Sequence, residues 1–352
     1  MMRSTDRAFY VSLDALKNRE SVERAVSEWV ETGVNKIYLL AKRSDGVTYR
    51  SRIARSRVEG GFDAFAETVW RAKDAGIEVH AWFCCYIESV REPSEYLRAH
   101  LEALLVNRLG KTNLEEPTWS TVDTRYSTYW VCPSHTGYRQ YLMSLMREVV
   151  ENYQVDGIHL DYIRYPEAVE GRYYCYCRRC MEKFKEEYGY ELPANDVIKN
   201  RYFVSILCEN VTDSVREFSS LVHRMGRKTS AYVFTDYVTA IESCYQDWPY
   251  FSRFLDFLCP TTYEVSPDHV RTLVHRARSV MHEGCALTPV VLSSPEILRS
   301  REGGRRWSSD RTPEYVLSAA RACLESGADG VVFFLYDSTP PEVLKSLRTQ
   351  AF

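Results

Sequence analysis

Apolar and polar positions along the chain switch between two periods, and the switching is nearly continuous. AFYVSLD (8–14) is a short apolar run. It is followed by SVERAVSEWVETG (21–33), where apolar residues recur every three or four positions up to a glycine stop. NKIYLLAK (35–42) is again apolar throughout, and FDAFAETVWRAKDAG (62–76) returns to the helical period. IEVHAWFCCY (77–86) reads as the next strand, and TGYRQYLMSLMREVVENY (136–153) as an amphipathic helix running into the strand VDGIHLDYIRYP (155–166). Beyond it the strand patterns are KTSAYVFTD (228–236), LDFLCPTTYE (255–264), ALTPVVLSS (286–294) and ADGVVFFLYDST (328–339), each separated from the next by a helical stretch.

Eight strand patterns, each followed by a helical one, predict an α/β chain with a parallel sheet covered by helices, and eight such units point to a single (β/α)8 TIM barrel over 1–352. A doubly wound open sheet is the alternative, but no GxGxxG turn follows the first strand and no linker or repeat divides the chain. Two stretches exceed ordinary connections, about 87–135 and 167–194. Both follow strands, on the face where barrels build their sites.

In a barrel the carboxyl ends of the strands ring one mouth, so polar residues there are expected to converge. The ends supply Asp14, His80 and Trp82, His159 and Asp161, Asp236, Tyr263 and Glu264, then Tyr336 and Asp337, with Arg164 just past the fourth strand. Asp236 precedes a helix and Asp337 lies three residues before Pro340, so helix capping is an equal account of either. Two carboxylates across a cleft are what glycoside hydrolysis needs, one as proton donor and one as nucleophile or base. The fourth and sixth strands lie two spacings apart, roughly 10 Å, which lets side chains close to the separation such pairs use. Asp161 and Glu264 are therefore the expected pair, with Asp236 and Asp337 in reserve. His80, His159, Arg164, Tyr263, Tyr336, Asp337, Asp14 and Trp82 would position the substrate. Two other readings stay open: a carbohydrate-binding barrel without hydrolysis, and a metal-dependent hydrolase built on His80, His159 and Asp161.

Composition narrows the partners. The net charge of -3 and scattered Lys and Arg give no nucleic-acid footprint. No apolar run is long enough for a membrane helix, and the N-terminal stretch lacks the apolar region of a secretory signal. The 25 tyrosines are in excess; most pack in the core, and amphipathic rings also suit a cleft that stacks sugar faces. Trp119 and Trp130, in the first insertion, could form such a wall. Eleven cysteines, several inside apparent core strands, suggest a reducing cytoplasm. Three of them, Cys175, Cys177 and Cys180, form CxCxxC in the second insertion. A structural tetrahedral zinc would need a fourth ligand, for which Cys132, Cys84 and Cys85 are candidates. No cofactor is expected for catalysis, and oligomeric state is not legible.

Three blocks resemble a known family. FDAFAETVWRAKDAGIEVHAWF, VCPSHTGYRQYLMSLMREVVENYQVDGIHLDYIRYP and QDWPYFSRFLDFLCPTTYE are similar to ordered blocks of the bacterial glycosyl-hydrolase-like family 10, over about 60–265, with a weaker echo in DGVVFFLYD. The resemblance implies a TIM barrel related to retaining glycosidases, in which a carboxylate ending the fourth strand is commonly the nucleophile; here that is Asp161. The chain departs from the amylase pattern at His159, where those relatives have Arg, and at Asp236, where they have Glu. This leaves the proton donor between Glu264 and Asp236. The CxCxxC insertion is similar to that of family 42 β-galactosidases, which hold a structural zinc through a fourth cysteine.

Overall fold

Strands form where the apolar runs predict them. A computed structural model describes residues 5–44, 46–58, 60–116, 118–119, 127–167, 173–192, 200–263, 266–294 and 312–349. In chain order its strands are β1 (Asp6–Val11), β2 (Lys36–Arg43), β3 (Gly46–Val47), β4 (Glu78–Cys84), β5 (Ile87–Val90), β6 (Thr118–Trp119) and β7 (Ser127–Trp130). They continue as β8 (Gly157–Asp161), β9 (Lys228–Val233), β10 (Phe257–Pro260), β11 (Ala286–Leu287), β12 (Val290–Leu292) and β13 (Gly330–Phe334).

The main sheet runs β11-β10-β9-β8-β4-β2-β1-β13-β12, with parallel pairing throughout this path and β3 added antiparallel on β2. β11 and β12 are two halves of one strand, parted at Thr288-Pro289. Pro289 has no N–H to add to a ladder, which accounts for the break. The half-strands still bond on both sides: Thr288 N–H donates to the Leu258 carbonyl, Thr262 N–H to Val290, and Val332 N–H to Pro289. This short stretch thus bonds to β10 on one side and to β13 on the other, and the sheet is curled.

Buried apolar residues fall into two separate sets. One lies between the sheet and its helices, including Phe9, Leu39, Phe83, Ile158 and Trp248. The other, Ala8, Tyr10, Tyr38, Leu40, Trp82, Cys259, Tyr263, Val290, Leu292 and Val332, is enclosed by the curled sheet. Period-two alternation sends alternate residues to these two sides, so each strand is apolar on both faces.

Register sets depth within the enclosed set. Tyr38 pairs with His80, and His80 with Gly157; one step up, Trp82 pairs with His159, and Cys84 with Asp161. Gly157 is required where it stands, because a Cβ there would lie 2.4 Å from His80 Nδ1 and 2.7 Å from the Lys228 carbonyl oxygen.

The first long connection folds as an antiparallel sheet, β5-β7-β6, tied to the barrel by a buried ion pair from Lys42 at the end of β2 to Glu88 on β5, 3.1 Å. Tyr138 on the helix Thr136–Tyr153 also donates to Glu88. The second carries the helix Arg178–Tyr188. Among the described residues no helix is long and apolar enough to cross a membrane.

Candidate active site

The strand β8 ends in a carboxylate that is 6% exposed. Asp161 accepts from the Trp82 indole N–H at 2.9 Å on one oxygen and from the Tyr162 backbone N–H at 2.6 Å on the other. Tyr162 takes a left-handed conformation, φ 49°, just past the strand end. Burial pushes the carboxyl up from its ordinary 3.8 to about 6, against the two hydrogen bonds and the nearby Arg164 cation. Near neutral pH it is mostly ionised and within reach of a proton, the range a reacting carboxylate uses.

Arg164 is buried over a floor of rings, its guanidinium 5.3 Å from the Trp130 ring and 5.0 Å from those of Tyr162 and Phe234. Burial works against its charge, but Cys244, Glu167, Tyr162 and Asp161 outweigh it. Below Asp161, Tyr10 and His159 Nε2 are 2.6 Å apart, and His159 Nδ1 is 2.8 Å from the Ser230 hydroxyl. Burial, with His80 nearby, holds His159 well below the ordinary imidazole value, so it is neutral. Tyr232 donates to the Tyr263 hydroxyl at 3.1 Å, and the Phe334 ring lies 6.1 Å from that of Tyr263. Cys84 pairs with Asp161 across the strands, and burial beside that carboxylate pushes its thiol far up, so it stays protonated.

The structure thus brings Asp161, Trp82, Arg164 and Tyr263 to one mouth, with His159 supporting them from beneath. Two expected members are elsewhere. His80 lies a layer lower, fully buried, bonded through Nε2 to Glu78 at 2.7 Å at the opening end of β4. It shares a face with Trp82 but not a depth, so it cannot hold a substrate at the mouth. Tyr336 faces outward, donating to Glu28 at 2.8 Å and packing on Trp29 of the first helix at 5.4 Å. The short turn Tyr336–Ser338 carries it off the strand direction.

The reserve carboxylates each have a task. Asp236 caps the helix Tyr237–Cys244 through the Thr239 N–H at 2.9 Å and pairs with Arg276 at 3.1 Å. Asp337 accepts the Ser12 N–H at 2.7 Å and that of Ala15 at 3.3 Å, pinning the exit of β1. Asp14 is largely exposed and paired with Arg43 at 2.6 Å. Glu264 lies outside the described residues, as does the Trp119 side chain. Tyr10, Tyr38, Tyr232, Phe334 and Ser230 were not singled out from sequence. Their signal is parity: counting by twos from Asp161 and along its neighbours reaches all of them.

Among the described residues His80 and His159 are not grouped with Asp161 as metal ligands: His80 Nε2 bonds Glu78 a layer lower, and the two ring nitrogens of His159 face Tyr10 and Ser230. Among the described residues the group able to hold an ion is Cys132, Cys175, Cys177 and Cys180, all buried, with Sγ atoms within 4.8 Å of one another. Cys132 Sγ is 3.6 Å from that of Cys180 and 3.7 Å from that of Cys177. A tetrahedron with metal–sulfur bonds of about 2.3 Å has edges of about 3.8 Å. The surroundings fit thiolates. Val106 N–H points at Cys175 at 3.4 Å and the Asn210 amide at Cys180 at 3.5 Å, while the Ser134 and Tyr165 hydroxyls lie 3.1 and 3.5 Å from Cys132. Of the three candidates for a fourth ligand, Cys132 is the one brought to the CxCxxC; Cys84 and Cys85 are not in the group.

Comparison with known proteins gives the same architecture. The catalytic domain of β-amylase from Paenibacillus polymyxa superposes with a TM-score of 0.64 at 12% identity, over 98% of this chain and 97% of that one. α-L-Fucosidase isoenzyme 2 from Paenibacillus thiaminolyticus gives 0.60 at 15%, over 98% of this chain and 48% of that one. The α-galactosidase from Lactobacillus brevis gives 0.55 at 12%, over 99% and 40%. At these identities the likeness is one of fold, and this chain spans less than half the length of the last two enzymes. No curated protein matches the sequence. The model of one family, Glycosyl hydrolase-like 10, matches residues 6–248, well over half the chain. The chain, with Asp161 inside that matched span, belongs to the glycosyl hydrolase-like 10 family.

Proposed function

We propose that this chain is a glycoside hydrolase acting on an oligo- or polysaccharide, with Asp161 as the carboxylate that attacks the sugar. One observation carries the reading: a buried carboxylate ends β8, held on both oxygens and poised near neutrality, above an aromatic floor. Asp161 adds to the anomeric carbon as the glycosidic C–O bond breaks, and a donor passes a proton to the leaving oxygen. Water then attacks the glycosyl–Asp161 bond, returning the proton to the donor and releasing sugar with retained configuration. The donor is assigned to Glu264, next in sequence to the mouth residue Tyr263, because Asp236 is engaged by a helix end and by Arg276. Arg164, Trp82 and Tyr263 contact hydroxyls and sugar faces.

The reaction itself uses no cofactor. The four-cysteine group is assigned a structural zinc, supported by its sulfur spacing and its ring of hydrogen-bond donors. Eleven unpaired cysteines, nearly all buried, suit a reducing cytoplasm.

The test is turnover of a panel of aryl glycosides. Wild type is expected to cleave at least one, and Asp161→Asn to lose about 10⁴-fold or more of kcat. Glu264→Gln should lose about 10²–10⁴-fold on sugars with poor leaving groups. It should lose far less on a dinitrophenyl glycoside, whose phenolate departs without a proton. Unchanged turnover in Asp161→Asn would sink the assignment. A second reading, a sugar-binding barrel without hydrolysis, draws on Asp14, Asp236 and Asp337 already being engaged. It predicts binding of the same sugars with no turnover by wild type.

A further inference from the structure

We infer that the four-cysteine site sets the geometry of the candidate active site, and that Tyr165 is the positioning residue connecting the two. The inference rests on the zinc assignment and deepens the glycosidase reading. The chain leaves β8 through Tyr162–Pro166, and this loop carries Arg164 beside Asp161. Tyr165 is fully buried, and its phenol lies 3.5 Å from Cys132 Sγ and 3.8 Å from Cys180 Sγ. The Asn210 amide donates to the same phenol oxygen at 3.2 Å and to Cys180 Sγ at 3.5 Å. Lys183 bonds the Asn210 carbonyl oxygen at 3.2 Å, which fixes which way that amide faces. At its other end Tyr165 accepts the Arg164 guanidinium on its carbonyl at 3.0 Å. One residue therefore spans the distance from the sulfurs to the cation beside the reacting carboxylate.

The chemistry explains why a metal matters to this connection. Zinc-bound thiolates are acceptors without protons, so the Tyr165 O–H donates to sulfur and the Asn210 N–H groups donate to sulfur and to the phenol oxygen. Four protonated thiols in the same space would face those donors with S–H groups of their own. Elsewhere the loop is held by Tyr86 N–H donating to the Tyr162 carbonyl at 3.2 Å, by Tyr165 N–H on the Cys244 carbonyl at 3.2 Å and by Gln246 on that of Ile163 at 3.5 Å. The same sulfurs hold both insertions: Cys132 precedes the helix Thr136–Tyr153, Cys175 meets Val106, and Cys180 lies in the first turn of the helix Arg178–Tyr188. Metal loading thus orders the loop that aims Arg164, as well as the insertions.

Hydrogen–deuterium exchange of the full chain tests this without any substrate. Removing the metal with a chelator is expected to speed exchange in peptides covering 158–167 by about tenfold, the scale of effect typical of groups that brace metal ligands. Peptides of β1 and β2 should be unaffected, and re-added zinc should restore protection. Tyr165→Phe, loaded to one zinc per chain by elemental analysis, should loosen 158–167 while leaving 174–188 protected. Faster exchange confined to 174–188 after stripping would overturn the inference. If stripping loosens β1 and β2 as well, zinc-loaded Tyr165→Phe decides, and unchanged exchange at 158–167 overturns it. Elemental analysis finding no thiolate-bound metal overturns it too. Where a glycoside is cleaved, the same variant should lose about tenfold in kcat at full zinc occupancy. The exchange result stands even if no glycoside is turned over, so failure of the glycosidase reading is distinguishable from failure of this one.

Discussion

A carboxyl group buried as deeply as Asp161 resists ionisation, and that resistance is stored against the fold. Its proton affinity rises from an ordinary 3.8 in the unfolded chain to about 6 in the folded one. The folded state therefore holds this proton more tightly. Its contribution is fully present below about pH 4, falls as pH climbs through 4–6, and is gone above about 6. The span is worth about 3 kcal/mol. Asparagine has no charge to desolvate, but it offers one acceptor oxygen to two donors, Trp82 and Tyr162, at a cost of about 1 kcal/mol. Asp161→Asn is expected to be about 2 kcal/mol more stable than wild type at pH 7.5 and no more stable at pH 4. Urea unfolding at the two pH values checks this, and a gain independent of pH would refute the burial account. Asp161 was legible because it ends a strand in a crowd of polar residues. His80 was not, because alternation tells which face a residue takes and not how deep it sits. Its depth is fixed by its pairing with Tyr38 and Gly157, and pairing appears only once the strands are side by side.

At the scale of elements, eight strand patterns in the sequence became the main sheet, because each run is apolar on both faces and needs covering on both. The seventh pattern, ALTPVVLSS, reads as one strand and folds as two, since its proline interrupts the ladder. The first insertion was visible as a length, but its three short strands lack a pattern long enough to announce them. Its docking depends on a pair hidden in unremarkable positions. Lys42 and Glu88 are 1% and 3% exposed, and Lys42 also donates to the Cys84 carbonyl at 3.1 Å, one strand end from Asp161. Removing one partner strands a buried charge. Glu88→Gln or Lys42→Met alone should cost about 3–5 kcal/mol, whereas the double variant should cost markedly less than the sum. Denaturant unfolding of the four proteins gives the cycle. Additive losses would mean that the two charges do not stabilise each other in the fold.

For the whole molecule, the four sulfurs join stretches far apart in sequence. Cys132 lies near the end of the first insertion and Cys175, Cys177 and Cys180 lie in the second, with Val106, Tyr165 and Asn210 bonded around them. Sequence disclosed three of these cysteines through spacing; the fourth was one of three candidates because it comes from a different excursion of the chain, 43 residues before the nearest of the others. An ion bound only by the folded arrangement stabilises it by mass action, about 4 kcal/mol when free metal exceeds its dissociation constant a thousandfold. For a chain of this size that corresponds to a melting temperature about 5 °C higher. The melting temperature of stripped protein should therefore climb with the logarithm of added zinc. Cys177→Ser should start lower and respond weakly. Cys259→Ser, inside the sheet and bonded to Tyr38 and Thr288 instead, should keep the full zinc response whatever its own stability. A flat response in wild type would mean that the four thiols simply pack together, as buried cysteines often do. A zinc-dependent rise in wild type and Cys259→Ser, blunted in Cys177→Ser, identifies the cluster as the place where metal binding and folding are one equilibrium.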